Sequence, residues 1–191
     1  MPSSSRKAVI RTGLLAAALT TGALSAGVAT TASAIAAPAG DGPAAAAADV
    51  TVAGLSEEQV DNARTIIGTG KAEDVSDEGI TIALMTAMQE SSLENLDGGD
   101  RDSAGLFQQR PSMGWGSQED ITDPVHATES FFGTNDSVSN PGLDQVEGWE
   151  DLAPGAAAQA VQRSAFPDAY DKWEPLAEEL LEENDDVDPI D

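Results

Sequence analysis

The chain has no cysteine and only one histidine, His126. Without cysteine there is no disulfide to hold the fold, so packing alone must do so. One histidine with no thiolate cannot assemble the usual zinc ligand set, and neither a metal nor another cofactor is expected. Aromatic residues make up only 4% of the chain. Alternating blocks rich in β-branched and aromatic residues are missing, so strand signals are poor. No Gly-x-Ser-x-Gly elbow and no internal repeat occur. Basic residues are the scarcest feature: 9 Lys and Arg stand against 34 Asp and Glu. Arg6, Lys7 and Arg11 precede residue 34 and all 34 acids follow it, so the remainder holds six cations and a formal charge of −28. That balance argues against nucleic acid and anionic membrane as partners, because both require cationic contacts. It favours solubility, and it suits a salty medium in which screening relieves self-repulsion.

The N-terminal segment follows another logic. Arg6, Lys7 and Arg11 form a positive region, residues 14–19 open an apolar stretch, and Ala32-Ser33-Ala34 is a small-residue cleavage site. Residues 1–34 therefore read as a secretory signal peptide, with the mature protein secreted or in the cell wall and free of the membrane after cleavage. Residues 35–53 are mostly Ala with Gly and Pro, and form an expected linker. Residues 54–181 are long enough for one domain, and 182–191 form an acidic tail expected to be solvated and disordered. Nothing in the sequence sets an oligomeric state.

Within the domain the pattern is helical. Ser56, with Gln59 three residues on, predicts a capped helix over 57–68. Ser76 predicts a second over 77–91, apolar nearly all round and hence central and buried. A short helix is expected over 103–110. Asp123-Pro124 opens another to about 132, residues 156–164 form the next, and a last one runs over 167–182 with a kink or break at Pro175. The expected fold is mainly α, a small domain around the second helix.

The chemistry concentrates in residues 87–109. Glu90 sits in the last turn of the second helix, where the dipole is negative and disfavours an ionised carboxylate. Partial burial beside Phe107 would disfavour it further. Cleaving a glycosidic bond needs a proton donor of this kind. Gly79, Ala83 and Thr86 share the helix side of Glu90, a stripe of small residues that leaves room for a groove or for close packing. Gly105 lets the following segment approach closely. Gln108 and Gln109 can hydrogen-bond amides or hydroxyls of a sugar, and Trp115 offers a flat face for a ring. Among 34 acids a single Glu carries little meaning by itself; the helix-end position and the spacing to Gly105 carry the reading. Asp97, Asp100 and Asp102 read as a solvated turn, since their spacing does not match a calcium loop, while one of them as a second carboxylate stays open. Tyr170 and Trp173, three apart, favour packing.

These residues resemble a known family. Ala87-Met88-Gln89-Glu90-Ser91, followed by Asp102-Ser103-Ala104-Gly105-Leu106-Phe107-Gln108, look like the Glu-Ser and Gly-Leu-Met-Gln motifs of lytic transglycosylases with the lysozyme-like fold. Asp123-Pro124 resembles the pair that opens that family's next helix, and residues 157–162 fall where it carries Ala-Tyr-Asn-Ala-Gly. The likeness spans about 76–173 and extends to secreted actinobacterial proteins of this domain type. It implies a lysozyme-like domain that cleaves the MurNAc–GlcNAc bond of peptidoglycan strands, with Glu90 as sole acid and base and a 1,6-anhydro end as product. Ser91 and Gln108 would orient the acid or the substrate, and Gly105, Phe107, Gln109, Trp115, Gln162 and Tyr170 would complete the substrate-binding surface. Phe107 stands in the place of the family's Met, and Val161 and Gln162 in the place of its Tyr and Asn, which leaves Tyr170 as the candidate to position the acid. The alternative is a wall- or glycan-binding module that keeps the fold without activity.

Overall fold

A computed structural model describes residues 54–190; the signal-peptide and linker expectations fall outside these residues. Six α-helices are formed: α1 (Glu57–Ala72), α2 (Asp77–Ser91), α3 (Gln118–Thr122), α4 (Pro124–Phe132), α5 (Pro154–Gln162) and α6 (Glu174–Glu183). The described residues contain no strand, only an isolated bridge between Ala104 and Gln109. None of their helices is long and apolar enough to cross a membrane.

The fold is mainly α and is built around α2, which packs against α1, α4, α5 and α6. Eleven of the fifteen α2 residues are buried, among them Ile80, Ile82, Leu84 and Met85. Burying so apolar a helix from several sides is the main stabilising gain available to a domain without covalent cross-links. The caps lie where the side chains require them. Ser56 Oγ accepts from Gln59 N, Ser76 Oγ from Gly79 N, and an Asp123 carboxylate oxygen from His126 N.

Three segments differ from the sequence expectation. Helix α1 continues past Gly68 and Gly70 to Ala72. Each glycine weakens a helix by roughly 1 kcal/mol relative to Ala, but here a Cβ would strike Ile190 at Gly68 and Ile80 at Gly70. Close approach explains why the helix tolerates both. Residues 103–110 are not helical but form a turn closed by Ala104 N donating to Gln109 O at 3.1 Å. The acidic tail is not free through residue 190. Lys71 Nζ donates to the carbonyls of Asp185 and Val187, Ile190 N donates to Gly68 O, and Val187 is buried. Backbone contacts and two apolar side chains hold this segment on α1 despite its charge.

The last helix breaks as Pro175 requires. A 3-10 turn, Asp171–Trp173, precedes α6, and Pro175 occupies the first turn of α6, where its missing N–H leaves no bond unmade. This turn delivers Tyr170 and Trp173 to the C-terminal end of α2.

Candidate active site

Helix α2 ends at Ser91 in a left-handed turn, Ser92 (φ 57°) and Leu93 (φ 60°). Leu93 N donates back to Ala87 O, and its side chain is fully buried. Two α1 side chains hold this turn: Gln59 Nε2 donates to Ser92 O at 2.7 Å and Asn62 Nδ2 to Leu93 O at 2.8 Å. The end of α2, and Glu90 with it, is therefore pinned by a neighbouring helix.

Glu90 is half-buried, and burial raises its pKa above the ordinary carboxyl value. Tyr170 Oη donates to Glu90 Oε1 at 2.7 Å, which acts in the opposite direction by favouring the anion. Tyr170 is completely buried; burial first, then the Glu90 charge and their hydrogen bond, keep the phenol protonated well above its usual range. Beside it Trp173 Nε1 donates to Gln89 Oε1 at 3.0 Å. Two consecutive α2 side chains are thus fixed by one 3-10 turn. The pair combines an acid biased toward its neutral form with a donor that fixes which way the carboxyl points.

The 103–110 turn forms the facing wall. Gly105 adopts φ +75°, and a Cβ there would collide with the Ile121 carbonyl oxygen. Ser91 Oγ lies 2.7 Å from Leu106 O and 3.1 Å from Ala87 O, tying the turn to α2. Phe107 is buried and stacks on Phe131, with ring centroids 4.8 Å apart. Gln162 Nε2 donates to Phe107 O at 2.9 Å, so α5 holds the same turn from the other side. Gln108, itself at φ 47°, accepts from Ser103 Oγ and donates to Gly105 O.

A groove of about 340 Å³ opens between these walls, lined by Glu90, Asp100, Ser103, Gln108, Arg110, Gln162, Ser164 and Ala165. A second recess of about 170 Å³ shares Gln108, Arg110 and Gln162 with it and reaches Trp115 and Arg163. Two of the non-glycine residues with positive φ lie in these linings. Of six such residues, Gln108 lines the groove and Arg163 the smaller recess, while Ser92 and Leu93 close α2 just after Glu90. Strained backbone of this kind persists where surrounding contacts over-determine it.

The sequence candidates therefore divide. Glu90, Gln108 and Gln162 line the groove. Phe107 and Gln109 are buried and cannot touch a substrate. Gln109 Nε2 donates to Ala127 O instead, and Phe107 belongs to the core. Ser91 and Gly105, also buried, shape the wall rather than meet a ligand. Tyr170 reaches the acid and not the groove. Trp115 is only 6% exposed, so it is a wall element and not an open platform. The stripe of Gly79, Ala83 and Thr86 is buried and serves close packing; the groove opens at the end of α2, not along it. Asp102 is committed elsewhere. Ser112 N, the Arg110 guanidinium and Ser112 Oγ all donate to it, and in that order they hold its carboxyl below the usual range.

Sequence reasoning missed Arg110, Arg163 and the rim of the groove, while Asp100, one of the three Asp left open as a second carboxylate, does line it. Phe166 is 72% exposed and Met113 57%, two of the three large hydrophobic side chains left open among the described residues. Met113 lines the smaller recess, and Phe166 directly follows Ala165 of the larger one. The scarcity of cations could have flagged Arg110, one of only six after residue 34. No model of a known protein family matches this chain, and no curated protein matches it.

Proposed function

We propose that this protein is a secreted, lysozyme-like enzyme that cleaves peptidoglycan strands, with Glu90 as the single acid and base. The observation that carries the reading is the 2.7 Å bond from buried Tyr170 to a half-buried, helix-end Glu90 in an open groove. Burial raises the Glu90 pKa and so favours its protonated form, while Tyr170 holds one carboxyl oxygen and leaves the other to the groove. Glu90 donates its proton to the glycosidic oxygen as the bond from that oxygen to C1 breaks. The sugar's C6 hydroxyl then bonds to C1 and returns its proton to the Glu90 carboxylate, leaving a 1,6-anhydro end. Tyr170 fills the positioning role for which the resembled family uses a tyrosine elsewhere in the chain. Gln108 and Gln162 supply amide groups for sugar hydroxyls along the groove. The signal-peptide pattern of residues 1–34 supports secretion.

The test is to incubate the purified protein with peptidoglycan and analyse the soluble fragments by mass spectrometry. Anhydro-muropeptides that disappear in Glu90→Gln are expected. Reducing ends without the anhydro mass would replace transglycosylation with hydrolysis, with Asp100 as the obvious second carboxylate. Retained pelleting on wall material without release of any fragment would reduce the protein to a glycan-binding module.

A further inference from the structure

Charge is distributed unevenly around the groove. The recess beside the Glu90 groove is lined by Gln108, Arg110, Trp115, Asn140, Gln162 and Arg163, among others, and by no Asp or Glu. In a chain with 34 acids and only six cations after residue 34, two arginines line one small recess that no acid lines, and Asp102 outside the lining pairs with Arg110 but not with Arg163.

The two lining arginines are not equivalent. Arg110 is clamped: its Nε donates to Asp102 Oδ1 at 2.8 Å and its Nη2 to Ser112 Oγ at 3.2 Å. Arg163 closes α5 in a left-handed conformation, φ 52°, which turns the chain at the recess. Its side chain is exposed and forms no ion pair with any described residue. A planar guanidinium with free donors, beside a second one held rigid, is suited to a carboxylate.

We infer that this recess binds a carboxylate carried by the glycan, with Arg163 as the principal contact and Arg110 as the fixed wall. The inference rests on the peptidoglycan reading and sharpens it, because it makes the protein select glycans bearing carboxylates over neutral ones. Two sources supply that chemistry: the lactyl group of the sugar, and the peptide stem attached to it. The recess adjoins the Glu90 groove through Gln108, Arg110 and Gln162, so one bound strand spans both.

Titration calorimetry on the full chain carrying Glu90→Gln tests this without turnover. Three tetrasaccharide probes are used: neutral GlcNAc tetramer, GlcNAc–MurNAc dimer repeats with free lactyl carboxylates, and the same repeats with peptide stems. At least one carboxylated probe is expected to bind about tenfold tighter than the neutral one, as one charge-assisted contact predicts. The tighter of the two identifies the source. Arg163→Gln should remove most of that preference with little change in melting temperature, since the side chain is exposed, and Arg163→Lys should restore part of it. The preference should also shrink between 50 mM and 500 mM salt, two concentrations chosen to bracket effective screening. Equal binding of all three probes, or a preference that survives Arg163→Gln, overturns the carboxylate site and leaves the glycan reading standing. Failure of every probe to bind overturns both.

Discussion

Two grooves on this molecule invite comparison. One, of about 820 Å³, runs between α1, α2 and α6 and is lined by Asp77, Glu78, Glu174, Glu178, Glu182 and Asp185, with Lys71. The other, of about 340 Å³, holds Glu90 and Asp100. The larger groove has three times as many carboxylates, yet five of its six are exposed. Glu90 differs in two respects: the fold removes part of its water, and Tyr170 fixes one of its oxygens. Acid–base chemistry follows from that local environment, not from the number of acids or the room around them.

Substitutions that separate the two grooves should break the comparison if it is wrong. The largest effect belongs to Glu90→Gln, which keeps size and an acceptor for Tyr170 but has no proton to give. Release of wall fragments should fall roughly a hundredfold to ten-thousandfold. Glu178→Gln and Glu182→Gln together, in the open groove, should leave the rate unchanged. Comparable losses in both variants would mean that Glu90 is one acid among many. Next come the supports of the site. Phe107→Ala removes the ring stacked on Phe131 and should cost roughly 3–5 kcal/mol of stability. Gly105→Ala, forced into a positive φ and against the Ile121 carbonyl, should cost about 3 kcal/mol. Urea midpoints at constant m measure both. A Gly105→Ala protein of unchanged midpoint would show that the turn can shift and does not define the wall.

How far the sequence exposed this arrangement depends on the range of the contact. Helix starts depend on a side chain three residues from its partner, so Ser56, Ser76 and Asp123 were legible. Helix α3 was not, although Ser117 and Asp120 form a capping box, because five residues are too few to show a period. The position of Glu90 at a helix end was legible for the same local reason. Its partner was not fixed by any spacing: Tyr170 lies 80 residues away, and only the 3-10 turn imposed before Pro175 brings it to α2. Phe107 and Gln109 were read as ligand contacts from their chemistry, but burial decided otherwise, and burial is a property of the whole fold. The tail shows the converse. Its charge suggested solvation, while Val187 and Ile190, with backbone hydrogen bonds to Lys71 and Gly68, seat it on α1.

Smaller effects sharpen the comparison by pH. Tyr170→Phe fits the buried site but removes a bond that favours ionised Glu90. The Glu90 pKa should rise further, so the alkaline limb of the pH–rate profile should move to higher pH. Loss of positioning should lower the plateau about tenfold. A limb that stays in place, or moves to lower pH, would mean that Tyr170 does not hold the acid.

The smallest expected effect is on stability, and its sign is set by burial. The folded pKa of Glu90 lies above its unfolded value of 4.5. The unfolded chain therefore ionises first, and the folded state loses stability as pH rises from the unfolded pKa through the folded one. Above that window the full cost of a half-buried anion is present; below it there is none. Glu90→Gln removes the cost, so the variant should melt above the parent protein at neutral pH, with the gain fading as pH falls through the folded pKa and gone below the unfolded value of 4.5. Any Glu→Gln change also relieves repulsion in a chain of this charge. Glu178→Gln removes the same charge from the open groove, so subtracting its effect leaves the part due to burial. A difference of zero between the two variants at every pH would mean that water reaches Glu90 as freely as it reaches Glu178, and the contrast between the grooves would then be one of shape alone.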